Sequence, residues 1–178
     1  MIIITETKRR GPKLFFTPCT FQADMILSDK DLTSGKHASI EPFKDRNVTP
    51  NGYDLTISEI YVGEGENVKQ GTARIPPKTW FAISTEEYVK LNKNICGSLW
   101  IRTTWARQGI ISSFGMVDAG FHGNLTLSAY NASSKTVEMP VGERFAQIVL
   151  HTLHTSAEET YEKRSGRYQG QRGVTLNK

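Results

Sequence analysis

Four segments carry residue types and spacings suited to chemistry. Arg102-Thr103-Thr104-Trp105-Ala106-Arg107-Gln108-Gly109 follows the apolar run Ser98–Ile101. It reads as one short helix, opened by hydroxyl residues and stopped by Gly109. A helix start offers unpaired N–H groups to an anion, and Arg102 with the hydroxyls of Thr103 and Thr104 adds further donors at that end. The plain alternative is an ordinary capped helix with its arginines in solvent. Gly115-Met116-Val117-Asp118-Ala119-Gly120-Phe121-His122-Gly123 sets one carboxylate, Asp118, between an apolar stretch and a glycine-flanked aromatic. An aspartate there also suits a simple turn, and the glycines imply a backbone passing close to another strand or to a ligand. Asn51-Gly52-Tyr53-Asp54-Leu55 joins a hairpin signal to a second carboxylate, Asp54. Gly142-Glu143-Arg144-Phe145-Ala146-Gln147-Ile148-Val149-Leu150 is a turn feeding a buried strand. A buried Gln147 must be hydrogen-bonded, either to protein or to ligand.

Other chemistries find less support. His151 and His154 have no cysteine or carboxylate nearby in a ligand pattern, so both read as structural, with a spacing that suits a helix face better than a strand. The two cysteines, Cys19 and Cys96, exclude a four-cysteine zinc site and a disulfide framework, and make a reducing cytoplasm the default location. The zinc-deaminase signature is missing.

The elements that must position these residues are short strands. Runs at Thr79–Ile83, Ser98–Ile101, Leu125–Tyr130 and Phe145–Leu150 are separated by Gly, Pro, Asn and Ser. Between Asn124 and Tyr130, Leu125, Leu127 and Ala129 share one face while Thr126, Ser128 and Tyr130 share the other. The β signal starts near residue 50, which gives an all-β class, a barrel or jelly roll. Before it, Ser28 and Asp31 have capping-box spacing and predict a short helix. An apolar content of 38% suits one core in a chain of 178 residues. No run reaches the roughly 18 apolar residues of a membrane span.

Charge divides the chain. Residues 1–24 carry Lys8, Arg9, Arg10 and Lys13 against Glu6 and Asp24, and read as an appendage, with Met25 a candidate alternative start. Residues 163–178 carry Lys163, Arg164, Arg167, Arg172 and Lys178 and no acid. A near-neutral body with one basic tail is not the stripe of a nucleic-acid binder. The tail is either a solvated end or a segment that folds over a polyphosphate.

Taken in order and register, these segments resemble the dUTPase and dCTP deaminase superfamily over roughly residues 25–178. Gly52-Tyr53-Asp54-Leu55, Arg102-Thr103-Thr104, Gly115 to Gly123 and Gly142 to Ile148 look like its first four motifs. Met25–Leu32 and the tail from Gly166 to Thr175 look like dCTP deaminases. The resemblance implies a distorted β-barrel (residues 25–162), a basic lid (163–178) and a homotrimer with sites shared between subunits. It further implies dUTP as substrate with Mg²⁺ as cofactor, hydrolysed to dUMP and pyrophosphate, which keeps uracil out of DNA and supplies dUMP for dTMP synthesis. Asp118 would orient the attacking water, and Asp54 would hold a metal-bound water. Arg102, Thr103, Thr104, Arg107 and Gln147 would grip phosphates, with Tyr161 and Arg167 from the tail. Phe121 would lie under the deoxyribose, Val117 would help read uracil through hairpin backbone, and Gln171 would stand near the base. The family's deaminases place a water-activating glutamate where this chain has Ser128, and their longer hairpin before Asp118 is shortened here. The closest likeness is therefore to archaeal-type dUTPases within the dCTP deaminase family. A dCTP deaminase, with or without diphosphatase activity, and a weakly catalytic nucleotide-binding regulator are the alternatives.

Overall fold

The computed structural model describes residues 25–63 and 65–176, so the proposed appendage at 1–24 lies outside the described residues. Among these residues no helix is long and apolar enough to cross a membrane. The chain is mostly β, as its turn-punctuated runs predict. In order it forms α1 (Asp29–Thr33), β1 (Ala38–Glu41), a 3₁₀ turn (Asp45–Asn47), β2 (Val48–Thr49), β3 (Gly52–Val62), β4 (Glu66–Val68), β5 (Thr72–Ile75) and β6 (Trp80–Leu91). There follow β7 (Ile95–Ile101), α2 (Thr103–Ala106), β8 (Ile110–Ile111), β9 (Met116–Val117), β10 (His122–Asn131), β11 (Val137–Pro140), β12 (Arg144–Thr152) and α3 (Tyr161–Arg164).

One antiparallel sheet runs β8-β10-β6-β3-β12-β7-β9, with β1 on β6 and with β2 and β4 on β3; β5 and β11 form a separate pair. The two longest strands make it curl into a half-barrel. The first part of β3 pairs with β12 through Tyr53–Thr56, and its second part pairs with β6 through Ile57–Val62. A bulge between Ile57 and Glu59 marks the switch, and another lies between Asn124 and Thr126 on β10. Bulges add local twist and re-aim side chains, which lets one strand turn a corner.

The core fills the concave side. Phe145 is fully buried and meets the rings of Phe81, Trp105 and Phe114 at centroid distances of 6.0, 6.3 and 6.2 Å. The alternation read in β10 holds: Leu125, Leu127 and Ala129 are buried, whereas Thr126 and Tyr130 are half-buried and Ser128 is exposed. The capping box also holds, with Ser28 as N-cap and Asp31 returning the bond.

Four local readings need correction. Strand structure begins at Ala38, well before residue 50. The hairpin before β3 turns on Pro50 and Asn51, with Gly52 already paired to Thr49. Gly52 is demanded by packing, because a Cβ there would stand 2.7 Å from the Ile148 carbonyl oxygen. Helix α2 has Arg102 at its N-cap and no side-chain cap bond, so its hydroxyls do not open it. His151 lies in β12 and its Nε2 meets Ser98 Oγ at 3.0 Å, a contact its spacing to His154 did not signal.

A buried carboxyl sits where β3, β6 and the 3₁₀ turn meet. Glu87 accepts from the Thr56 amide at 2.8 Å and from Asn47 Nδ2 at 3.3 Å. Asn47 Oδ1 faces no donor among the described residues. Burial pushes the Glu87 carboxyl above its ordinary range, opposed by the Thr56 backbone and hydroxyl. The folded state then holds that proton more tightly than the unfolded chain, so this group's contribution falls as pH rises from about 4.5 through the raised folded value. Glu87→Gln should flatten that part of the stability profile, and its amide can donate to a reoriented Asn47 carbonyl. Urea melts of both proteins across this window test the point; parallel profiles would refute it.

Candidate functional site

The residues singled out above fall into two groups. The first is built where β3, β7 and β12 lie side by side. Asp54 Oδ2 receives Arg102 Nε at 2.9 Å and Arg144 Nη1 at 3.3 Å, with the Asp54 side chain only 6% exposed. Arg144 was not anticipated. Counting back from Gln147, which pairs with Asp54, alternation would put Arg144 on the opposite face; the bulge between Arg144 and Ala146 instead pairs it with Thr56, on the face of Asp54. Its backbone carbonyl accepts from Trp105 Nε1 at 2.8 Å and from Arg102 Nη1 at 3.3 Å, which ties α2 to the same carboxylate. Desolvation raises the Asp54 carboxyl above its ordinary value, and the two guanidiniums pull the other way. Gln147 is half-buried and donates to Thr49 Oγ1 at 2.8 Å, so its partner is protein. Thr103 and Thr104 on α2 and Arg107 at its C-cap are exposed. One carboxylate among two guanidiniums leaves an excess of positive charge, which suits an anion.

The second group lines a cavity of about 640 Å³ between the loop that carries β9, the strand β10 and the tail. Its wall includes Phe114, Val117, Asp118, Phe121, Tyr161 and Gln171, with Ser128 from the exposed face of β10. Asp118 is exposed and its carbonyl closes a turn by accepting from the Phe121 amide at 3.1 Å. Phe121 is buried against Tyr161, edge to face, with centroids 5.5 Å apart. Asp118 is the sole carboxylate among the described residues lining the cavity. Asp54, Arg102 and Gln147 do not line it, so one chain does not unite the two groups.

The tail lies along its own chain. The glycines around Phe121 pass close to Thr160, just before the tail, and to Gln171 within it. A Cβ on Gly120 would stand 2.5 Å from Thr160 Cβ, and one on Gly123 would stand 3.2 Å from the Gln171 amide nitrogen. Gln171 is 6% exposed; its Nε2 donates to the Asn124 carbonyl at 2.7 Å, and the Asn124 amide donates back to the Gln171 carbonyl at 3.0 Å. Its Oε1 is buried with no donor among the described residues. The Tyr161 hydroxyl accepts from the Tyr168 amide at 3.1 Å, and Arg167 lies 5.6 Å from the Tyr168 ring centroid.

As for metals, no group of three or more His, Cys, Asp or Glu among the described residues could hold an ion. The donor set offers no protein cage, and fits a metal only if the ion arrives chelated by its substrate.

Comparison with known proteins gives this geometry a family. A dCTP deaminase-like family model matches residues 61–153. A dCTP deaminase of Thermococcus kodakarensis is 42% identical over 157 residues, covering 86% of this chain and 98% of the relative. A probable deoxyuridine 5'-triphosphate nucleotidohydrolase of Sulfolobus islandicus rod-shaped virus 1 is 36% identical, covering 86% of this chain and 99% of the relative. The crystal structure of the Agrobacterium tumefaciens 2'-deoxycytidine 5'-triphosphate deaminase superposes with a TM-score of 0.63 at 18% identity, covering 74% of this chain and 49% of that one. The chain belongs to the dCTP deaminase-like family, within the dUTPase and dCTP deaminase superfamily.

Proposed function

We propose that the chain hydrolyses dUTP to dUMP and pyrophosphate. One observation carries this reading: the cavity offers Asp118 as its carboxylate and Ser128 where the family's deaminases hold their glutamate. Water attack at C4 of cytosine needs a base beside that carbon, and an unaided serine hydroxyl is too weakly basic near neutral pH. Attack on phosphorus needs a positioned water, and cations and hydrogen-bond donors to take up developing charge. Asp118 is the group for the first task. Arg102, Thr103, Thr104, Arg107 and Gln147, with Arg167 and Tyr161, are the groups for the second.

Mg²⁺ carried in by the triphosphate supplies charge neutralisation at the leaving pyrophosphate. Asp54, held by Arg102 and Arg144, is the carboxylate nearest the phosphate grip and would accept a hydrogen bond from a water of that chelate. Phe121 gives the deoxyribose an apolar floor, and the backbone around Val117 faces the base. The unpaired Oε1 of Gln171 suits an N–H donor, either N3–H of uracil or the amino group of cytosine. It does not choose between them. Because the arginine cluster and the Asp118 cavity do not meet within one chain, the site is completed by another copy, and a homotrimer is the assembly we favour.

A second reading, dCTP deamination, is favoured by the names of the relatives. The deaminase of Thermococcus kodakarensis is more similar to this chain, at 42% identity, than the viral dUTP hydrolase, at 36%.

Product analysis with each nucleotide and Mg²⁺ separates the two readings: dUTP should give dUMP and pyrophosphate, and dCTP should give neither dUTP nor dUMP. Turnover of dCTP at a rate comparable to dUTP would sink the hydrolase-only reading. Asp118→Asn should lower dUTP turnover by ~10²–10⁴-fold while binding persists, since the amide cannot accept the water's proton. Wild-type turnover in that variant would remove Asp118 from the mechanism. Shared sites predict complementation: Arg102→Ala and Asp118→Asn chains, each inactive alone, should regain partial activity when unfolded and refolded together. The assembly should scatter light as three times the 20.0 kDa chain.

A further inference from the structure

We infer that Glu59 is a latch that holds the C-terminal tail against the cavity and thereby positions Gln171 for its ligand; the positioning half rests on the nucleotide reading of that cavity. Glu59 is 8% exposed, yet it belongs to no core contact and to neither group above. The bulge between Ile57 and Glu59 explains its direction. Simple alternation would turn Glu59 to the same side as the buried Ile57. Ser58 takes up the extra position instead, its hydroxyl donating to the carbonyls of Ser84 and Thr85 at 3.0 and 3.3 Å. Glu59 is thereby turned away from the core side of Ile60, onto the face that the tail crosses.

There its Oε1 accepts from the Val174 amide, while Oε2 pairs with Lys69 Nζ at 3.4 Å. Gly173 fits beneath it for two reasons. Its φ is +66°, and a Cβ would stand 2.5 Å from Glu59 Oε1. Thr126, opposite on β10, fastens the same stretch by donating to the Gly173 carbonyl at 3.4 Å and accepting from the Thr175 amide at 3.0 Å. One residue earlier, the Arg172 guanidinium lies 4.0 Å from the centre of the Tyr88 ring. The buried Gln171 comes next, so the latch bond to Val174 sits three residues beyond the side chain whose Oε1 awaits a donor. Of these fastenings only Glu59 presents a buried charged acceptor, and such bonds are the strong ones. The other contacts are neutral, or lie on an exposed cation–ring pair of smaller effect.

Hydrogen exchange of residues 169–176 in the nucleotide-free protein tests the latch without any turnover. Glu59→Ala should speed exchange there by roughly ten- to a hundredfold, the scale of one hydrogen bond to a charged group. Gly173→Ala, which leaves the sheet untouched, should do the same, and Glu59→Gln, which keeps an acceptor oxygen but loses the charge, should fall between wild type and Glu59→Ala. The KM for the nucleotide that the wild type turns over should rise about tenfold in the first two variants with kcat changed less, because the ligand must then order the tail itself. Unchanged exchange in Glu59→Ala and Gly173→Ala would overturn the latch. Faster exchange with an unaltered KM would overturn its positioning role. A wild type without dUTP turnover would instead fail the hydrolase reading, and the exchange result would still stand.

Discussion

Strand β3 has to serve two neighbours that diverge, and the remainder of the molecule is arranged around how it does so. Its first residues must stay with β12 and its last with β6, a division that an uninterrupted pleat cannot make. The bulge at Ser58 relieves the conflict by spending one residue outside the ladder. Everything chemically interesting on β3 is then sorted by that residue. Asp54 lies before it, between Arg102 at the start of α2 and Arg144 of β12; Glu59 lies after it, on the face the tail crosses. Glu87 sits close to the junction, where its carboxylate satisfies the Thr56 amide that the changing ladder leaves unmatched.

The same division governs electrostatics. Asp54 is buried enough that desolvation dominates its ionisation, and the two guanidiniums oppose that effect. Removing one member of such a cluster leaves the others uncompensated in a low-dielectric setting, so its geometry is held more firmly than any single pair would be. Asp118 has the opposite character. It stands on a short turn at the rim of a cavity, exposed, with only its backbone fixed. On the hydrolase reading proposed above, the cluster would hold the anion and the accessible carboxylate would face the attacking water.

Much of this was legible from residues alone. Alternation in β10 gave the face on which Ser128 stands, Ser28 and Asp31 gave α1, and the glycines around Phe121 gave a close backbone approach. Two residues were missed for one reason. Bulges change the period on which alternation rests, so neither Arg144 nor Glu59 could be assigned to a face by counting. Tertiary packing also overrode local preference: Gly52 looked like a turn residue and is a residue of close strand contact. Contacts between β10 and a segment some 47 residues later, such as Asn124 with Gln171, leave no periodic trace at all.

The closeness of Gly120 to Thr160 has a consequence for how this protein can vary. The space a side chain at 120 would need is already filled by the methyl-bearing carbon of Thr160, at 2.5 Å. The turn that carries Asp118 and the segment that leads into α3 therefore share one volume, and they can drift only together. Freedom gained at one position is taken from the other, so the effects of changes at the two sites will not add. Two stretches of sequence forty residues apart thus behave, under substitution, as a single position.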